Sequence, residues 1–322
     1  MSRVAYLDGL RGLAALAVML FHFTGQFPDG LLKQAFSHGW LGVEVFFVIS
    51  GAVMPIACAQ DLSRHGSVGR FFVRRMLRLY PPFLAAVVLT LGLNQAASWV
   101  PGFAGHPPHV DVMQVLLNVT YLAGVVHGEW LSPVYWTLAL EVQWYLLLVV
   151  LGPWFLRYPL VLVITALVGG AMWSGNAQQW LPGWLPLFAI GWALGLFATQ
   201  RLSLLATLSM VSVFVLQMSF GHGAGRCAAV VFATVAVLVV PRLVGRLAPL
   251  GQPSYSLYLI HVPIGGKIIN LAKRLDLSQP TLQWAALGVA VGVTWMASRM
   301  WLTFIERPAI NLSARLSKKP IK

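Results

Sequence analysis

The chain has 322 residues, 58% of them hydrophobic and only 10% charged, with a formal net charge of +13 and a mean hydropathy of +0.75. A soluble domain of this size would be about one quarter charged, so the composition excludes that class and points to an all-α polytopic membrane protein. Two cysteines in apolar stretches, Cys58 and Cys227, exclude a disulfide framework. The positive charge is what basic helix ends require, so no nucleic-acid partner is expected.

Taken in order, apolar segments long enough to span fall at 5–24, 38–58, 76–95, 133–152, 158–173, 182–199, 203–219, 225–241, 253–272 and 281–305, about ten in all. The first is no cleaved signal peptide, because Asp8 and Arg11 lie inside its apolar region and no small-x-small site follows His22. With the N-terminus cytoplasmic, fifteen Lys and Arg fall on inside loops and tails, four outside, and Arg11, Lys267 and Arg299 within spans. That asymmetry predicts both termini in the cytoplasm. A long outer loop, 96–132, holds a candidate amphipathic helix from Val110 to Val126 and is expected to lid the outer mouth. Residues 1–310 read as one transmembrane domain and 311–322 as a basic cytoplasmic tail, with the chain after Arg307 too short to fold.

Buried ionisable groups are costly in a bilayer and mark candidate sites. In the first span Arg11 and His22 are eleven residues apart, within about 20° of three full turns and roughly 16 Å along the axis, with Asp8 about 60° away on the same side. Such a polar stripe should face a cavity rather than lipid. Glu44 enters from the outside end of the second span, at a depth where it could orient His22; the alternative is a structural helix–helix contact. Glu141 lies near mid-membrane with Thr137 and Tyr145 on its face, and it is the natural partner for Arg11, again with a purely structural ion pair as the alternative. In the ninth span His261 follows Tyr258 by one turn and reads either as a cavity-lining group or as a hydrogen-bonded core histidine.

The basic run Arg70, Arg74, Arg75 and Arg78 has helical spacing and could hold phosphates, although a positive-inside loop looks the same without a ligand. The remaining histidines, His65, His106, His109, His127 and His222, read as solvated loop residues, and Trp and Met as lipid-facing or packing groups. No His pair has helical ligand spacing, so no metal is expected.

Six motifs in order resemble the acyltransferase 3 family of bacterial integral-membrane O-acyltransferases. They are Leu7-Asp8-Gly9-Leu10-Arg11-Gly12 with His22, the stretch Gly42 to Gly51 around Glu44, Arg75-x-x-Arg78-x-Tyr80-Pro81, Trp136 to Tyr145 around Glu141, Tyr255 to Pro263, and Glu306-Arg307-Pro308. Glu44 stands where Asp is commoner, and Val142 where many members carry a second Glu.

The resemblance implies transfer of an acetyl or other short acyl group from cytoplasmic acetyl-CoA to a hydroxyl of an exported or lipid-linked polysaccharide, in the bacterial inner membrane. It places Arg75 and Arg78 on the CoA phosphates and Arg11, Tyr258 and His261 along the donor path. His22 serves as base or is itself acylated, Glu44 orients it, and Arg11 and Glu141 shape the channel. Many relatives carry an additional hydrolase-like domain, and its absence here leads to the expectation that transfer finishes within the membrane domain. A glycan transporter, or an acyltransferase acting on a small metabolite, is the alternative reading.

Overall fold

The computed structural model describes residues 5–66, 68–100, 111–172, 179–221, 223–239, 244–275 and 277–318, and their regular structure is all helix. His106, His109 and His222, and the basic residues Arg3, Arg242, Lys319 and Lys322, lie outside the described residues. The chain begins with α1 (Ala5–Thr24), a short α2 (Leu31–Ala35), α3 (Gly42–His65) and α4 (Gly69–Ser98). After the outer loop helix α5 (Val112–Val119) come α6 (Tyr135–Arg157), α7 (Pro159–Ala171), α8 (Leu185–Ala198), α9 (Leu204–Gly221) and α10 (Ala224–Leu238). A single turn, α11 (Ala248–Gly251), precedes α12 (Ser254–Ile260), α13 (Lys267–Ala272), α14 (Pro280–Trp301) and α15 (Arg307–Lys318).

Among the described residues, six helices are long and apolar enough to cross a membrane: α1, α3 with its lead-in, α4, α6, α8 with its lead-in, and α14. The segments at α7, α9 and α10 are shorter apolar helices. The expected span 253–272 is broken into α12 and α13 by a π-helical turn over His261–Gly266. A second π turn, Leu302–Glu306, joins α14 to α15, so the tail expected to be unfolded continues the last helix as far as Lys318. Ser313 Oγ donates to Arg74 O at 2.9 Å and ties this helix to α4.

Helices in lipid gain little from burying apolar surface against one another, so close packing of small residues has to hold them. The core shows this at α3 and α8. A Cβ at Gly51 would lie 2.1 Å from Phe188 O, and one at Gly191 would lie 2.0 Å from Val48 O. The backbones therefore touch, and residues 185–196 of α8 are buried without interruption. The same device locks α1 to the chain ahead of α12: a Cβ at Gly251 would lie 1.9 Å from Asp8 O. This contact fixes the polar stripe of α1 against α12. Large apolar side chains such as Val150, Trp154, Ile164, Phe220 and Met296 stay exposed on the outer faces, as a lipid-facing surface requires.

The described part of the outer loop is anchored rather than free. The buried Asn118 donates to the carbonyls of Gln114 and Glu129 and accepts from Leu131 N, each at 2.9 Å. Tyr121 stacks on Phe83 of α4 with centroids 4.6 Å apart, and Tyr80 donates to Val119 O at 3.0 Å.

Candidate active site

Five elements converge on a cavity of about 310 Å³: the first turns of α1, the middle of α3, the basic end of α4, the part of α6 around Glu141, and α12. Asp8, Arg11, Arg75, Arg78 and Glu141 line it, with Ser50, Thr137 and Tyr258. Asp8 and Arg11, the first part of the polar stripe of α1, face this cavity, and Arg11 shares it with Arg75 and Arg78 of α4. Arg75 lies over the Phe71 and Tyr145 rings, its Cζ 5.6 and 5.9 Å from their centroids. Arg78 Nε is buried and makes no hydrogen bond. Arg74 is turned elsewhere and pairs with the buried Asp61 at 2.8 Å. The run of basic residues thus divides, with Arg75 and Arg78 facing the cavity and Arg74 serving a structural contact.

Glu141 is held differently from the expectation. Its Oε1 accepts from Ser50 Oγ at 2.9 Å and from the Tyr145 hydroxyl. Among the described residues no ion pair joins it to Arg11, although both line the same chamber. Tyr145 sits one turn beyond Glu141 on α6, so the two share a helix face and the contact between them is local.

His22 and Glu44 do not line that chamber. They line a second one of about 170 Å³, with Phe21, Trp40, Trp136, Trp184 and Arg226. Val43 and Tyr258 line both, so they form the shared wall. Tyr258 is fixed there by a hydrogen bond of 2.8 Å with Thr137 and by an edge contact with Phe46, centroids 5.3 Å apart. The central polar cavity read from the sequence is two chambers back to back, with the Tyr258 phenol between guanidinium and imidazole.

The expected contact between Glu44 and His22 is replaced by two others. Glu44 Oε1 accepts from Arg226 Nε at 3.0 Å, while Oε2 is buried without a partner. The His22 ring lies instead against His261, centroids 5.2 Å apart. His261 lines neither chamber. Its Nδ1 lies 2.9 Å from Tyr258 O and 3.2 Å from Leu257 O, which makes that nitrogen the donor and leaves the buried Nε2 without a proton or a partner. The π turn that begins at His261 is the backbone irregularity that places the ring there.

Arg226, one of the four basic residues that the charge count puts outside with Lys33, Lys273 and Arg274, is the third residue of α10 and reaches into the second chamber. A signal existed: a cation in the first turn opposes the helix dipole and needs a strong partner. It finds Glu44, and its Cζ also lies 5.4 Å from the Trp40 centroid and 5.1 Å from that of Trp184. Trp40, Trp136 and Trp184, expected to pack or face lipid, are chamber walls. Glu306 was noted only as part of a motif; it is buried and accepts from Ser256 Oγ at 2.5 Å.

A family model described as an acyltransferase domain matches residues 4–299. A protein named as a membrane-bound transacylase from Komagataeibacter xylinus is 30% identical over 304 residues, covering 80% of this chain and 72% of that protein. The O-acetyltransferase OatA of Staphylococcus aureus is 36% identical over 91 residues, 27% of this chain and 14% of its own length. A protein of Acidianus two-tailed virus named as an acetyltransferase is 30% identical over 138 residues, 42% of this chain and 37% of that protein. No solved structure matches the chain.

Proposed function

The chain belongs to the acyltransferase 3 family, and from that membership we propose that it is an integral-membrane O-acetyltransferase of the bacterial inner membrane. It moves an acetyl or other short acyl group from cytoplasmic acyl-CoA to a hydroxyl of an exported or lipid-linked polysaccharide. The observation that carries this reading is the guanidinium-lined chamber set against the imidazole-lined one across Val43 and Tyr258. The relatives' names, a transacylase and an O-acetyltransferase, support the reaction class.

The first chamber suits the donor. Arg11, Arg75 and Arg78 outnumber Asp8 and Glu141 there, and the unpartnered Arg78 Nε is a buried donor that an anionic oxygen would satisfy. Arg75 and Arg78 bind the CoA phosphates, since planar guanidinium groups engage phosphate bidentately. The donor, when bound, supplies an acyl group on a thioester. Basic residues concentrated on one side of the spans support placing this end, and both termini, in the cytoplasm.

In the second chamber His22 takes the proton of the acceptor hydroxyl, with His261 rather than Glu44 against its ring. A positioned base contributes on the order of 10²–10⁴ in rate. The test compares acetyl content of surface glycan, and acetyl-CoA affinity of purified protein, for wild type and two variants. His22→Ala should lower acetylation by about 10²-fold or more with donor affinity intact. Arg75→Ala with Arg78→Ala should weaken donor affinity at least about tenfold, since hydrogen bonds to charged groups contribute roughly 1.5–3 kcal/mol each. Unchanged acetylation with reduced glycan export in His22→Ala would favour a transporter.

A further inference from the structure

The walls of the second chamber contain more than a base needs. Trp40, Trp136 and Trp184 supply three broad rings to about 170 Å³, a space for one ring-sized ligand and too small for an oligosaccharide. Trp136 and Trp184 are set at 44° with centroids 5.3 Å apart, forming a corner rather than a flat stack. Arg226 is clamped against Trp40 and Trp184 and paired with Glu44, so the platform is rigid before any ligand arrives. Pro133, exposed two residues ahead of α6, lies on the same wall, so the chamber reaches the protein surface there.

Two facts define what fits. The Glu44–Arg226 pair cancels the chamber's fixed charges, so an added carboxylate or phosphate would gain no free counter-charge there. Glu44 Oε2, from a side chain 1% exposed, is an acceptor left unsatisfied, and a buried acceptor without a donor costs free energy until a ligand supplies one. The complementary ligand is neutral, has apolar C–H faces to lay on indole, and carries hydroxyl donors at its rim. We propose that this chamber is a subsite for a single neutral pyranose ring of the acceptor, stacked on Trp136 and Trp184, donating a hydroxyl hydrogen bond to Glu44 and presenting a second hydroxyl to His22.

The inference rests on the acyltransferase reading for its meaning, but not for its test. Purified protein in nanodiscs is examined by saturation-transfer NMR with methyl glucopyranoside and methyl glucuronide, with acetyl-CoA affinity measured on the same samples. Wild type should transfer saturation to the ring C–H protons of the neutral glycoside and at least several-fold less to the uronide. Trp136→Leu should weaken glycoside binding roughly tenfold, the scale of one lost aromatic contact. Glu44→Gln, which keeps shape but spends its one amide oxygen on Arg226 and so puts a donor where Oε2 was, should weaken it as well. Retained donor affinity certifies that each variant is folded. Glycoside binding unchanged in Trp136→Leu, uronide bound as well as glycoside, or donor bound without any glycoside signal would each overturn the subsite and leave acyl transfer standing. Glycoside bound as described without acetyl-CoA binding would uphold the subsite and sink the acyl-transfer reading.

Discussion

Glu44 pairs with Arg226 across 182 positions of sequence, and this contact joins the two opposite charges of the second chamber. Removing one partner of a buried ion pair leaves the other charged and uncompensated, at a cost of about 3–5 kcal/mol, whereas removing both is far cheaper. Arg226→Ala should therefore lower the thermal unfolding temperature clearly, and Arg226→Ala with Glu44→Gln should recover most of the loss. Additive losses in that double-mutant cycle would mean that the two side chains do not act as a pair. That His22, Arg11 and Glu141 line cavities could be read from the sequence, because a charged group in an apolar helix has to face something polar, whereas Arg75 and Arg78 looked like any basic helix end and only the family resemblance singled them out. Their partners could not be read there. Helical spacing states which residues share a face, and Tyr145 beside Glu141 follows from it. Which helix lies opposite is decided by packing between distant segments, and this is why Arg226 and His261 displaced the contacts expected for Glu44 and His22.

At the scale of elements, α3 carries both chambers, with Ser50 on one and Glu44 on the other. Its position depends on the backbone contact with α8 at Gly51 and Gly191. Gly51→Val should force the two helices apart and abolish monodisperse protein in detergent size-exclusion chromatography. Gly92→Ala, where an added Cβ meets no atom within 4 Å, should leave the profile unchanged. A monodisperse Gly51→Val would show that α3 and α8 do not need this approach. Hydropathy made most helices legible, but not their continuity. It merged α12 and α13 into one segment because the π turn at His261–Gly266 is as apolar as its flanks. It also ended the last helix too early, because α15 is amphipathic and held by a contact to α4 rather than by lipid.

For the whole molecule, the proposed reaction needs donor and acceptor in the two chambers that share the wall formed by Val43 and Tyr258. Fold class was legible at this scale because a composition with 10% charged residues leaves few alternatives. The division of the cavity was not, since it follows from one phenol, Tyr258, bonded to Thr137 on another helix. The most direct test uses oriented proteoliposomes with isotope-labelled acetyl-CoA on the face bearing Arg201 and a neutral polysaccharide on the other. The account predicts labelled ester on the polysaccharide across the membrane, lost in His22→Ala. Label appearing only when donor and polysaccharide share one face, or persisting in His22→Ala, would contradict it.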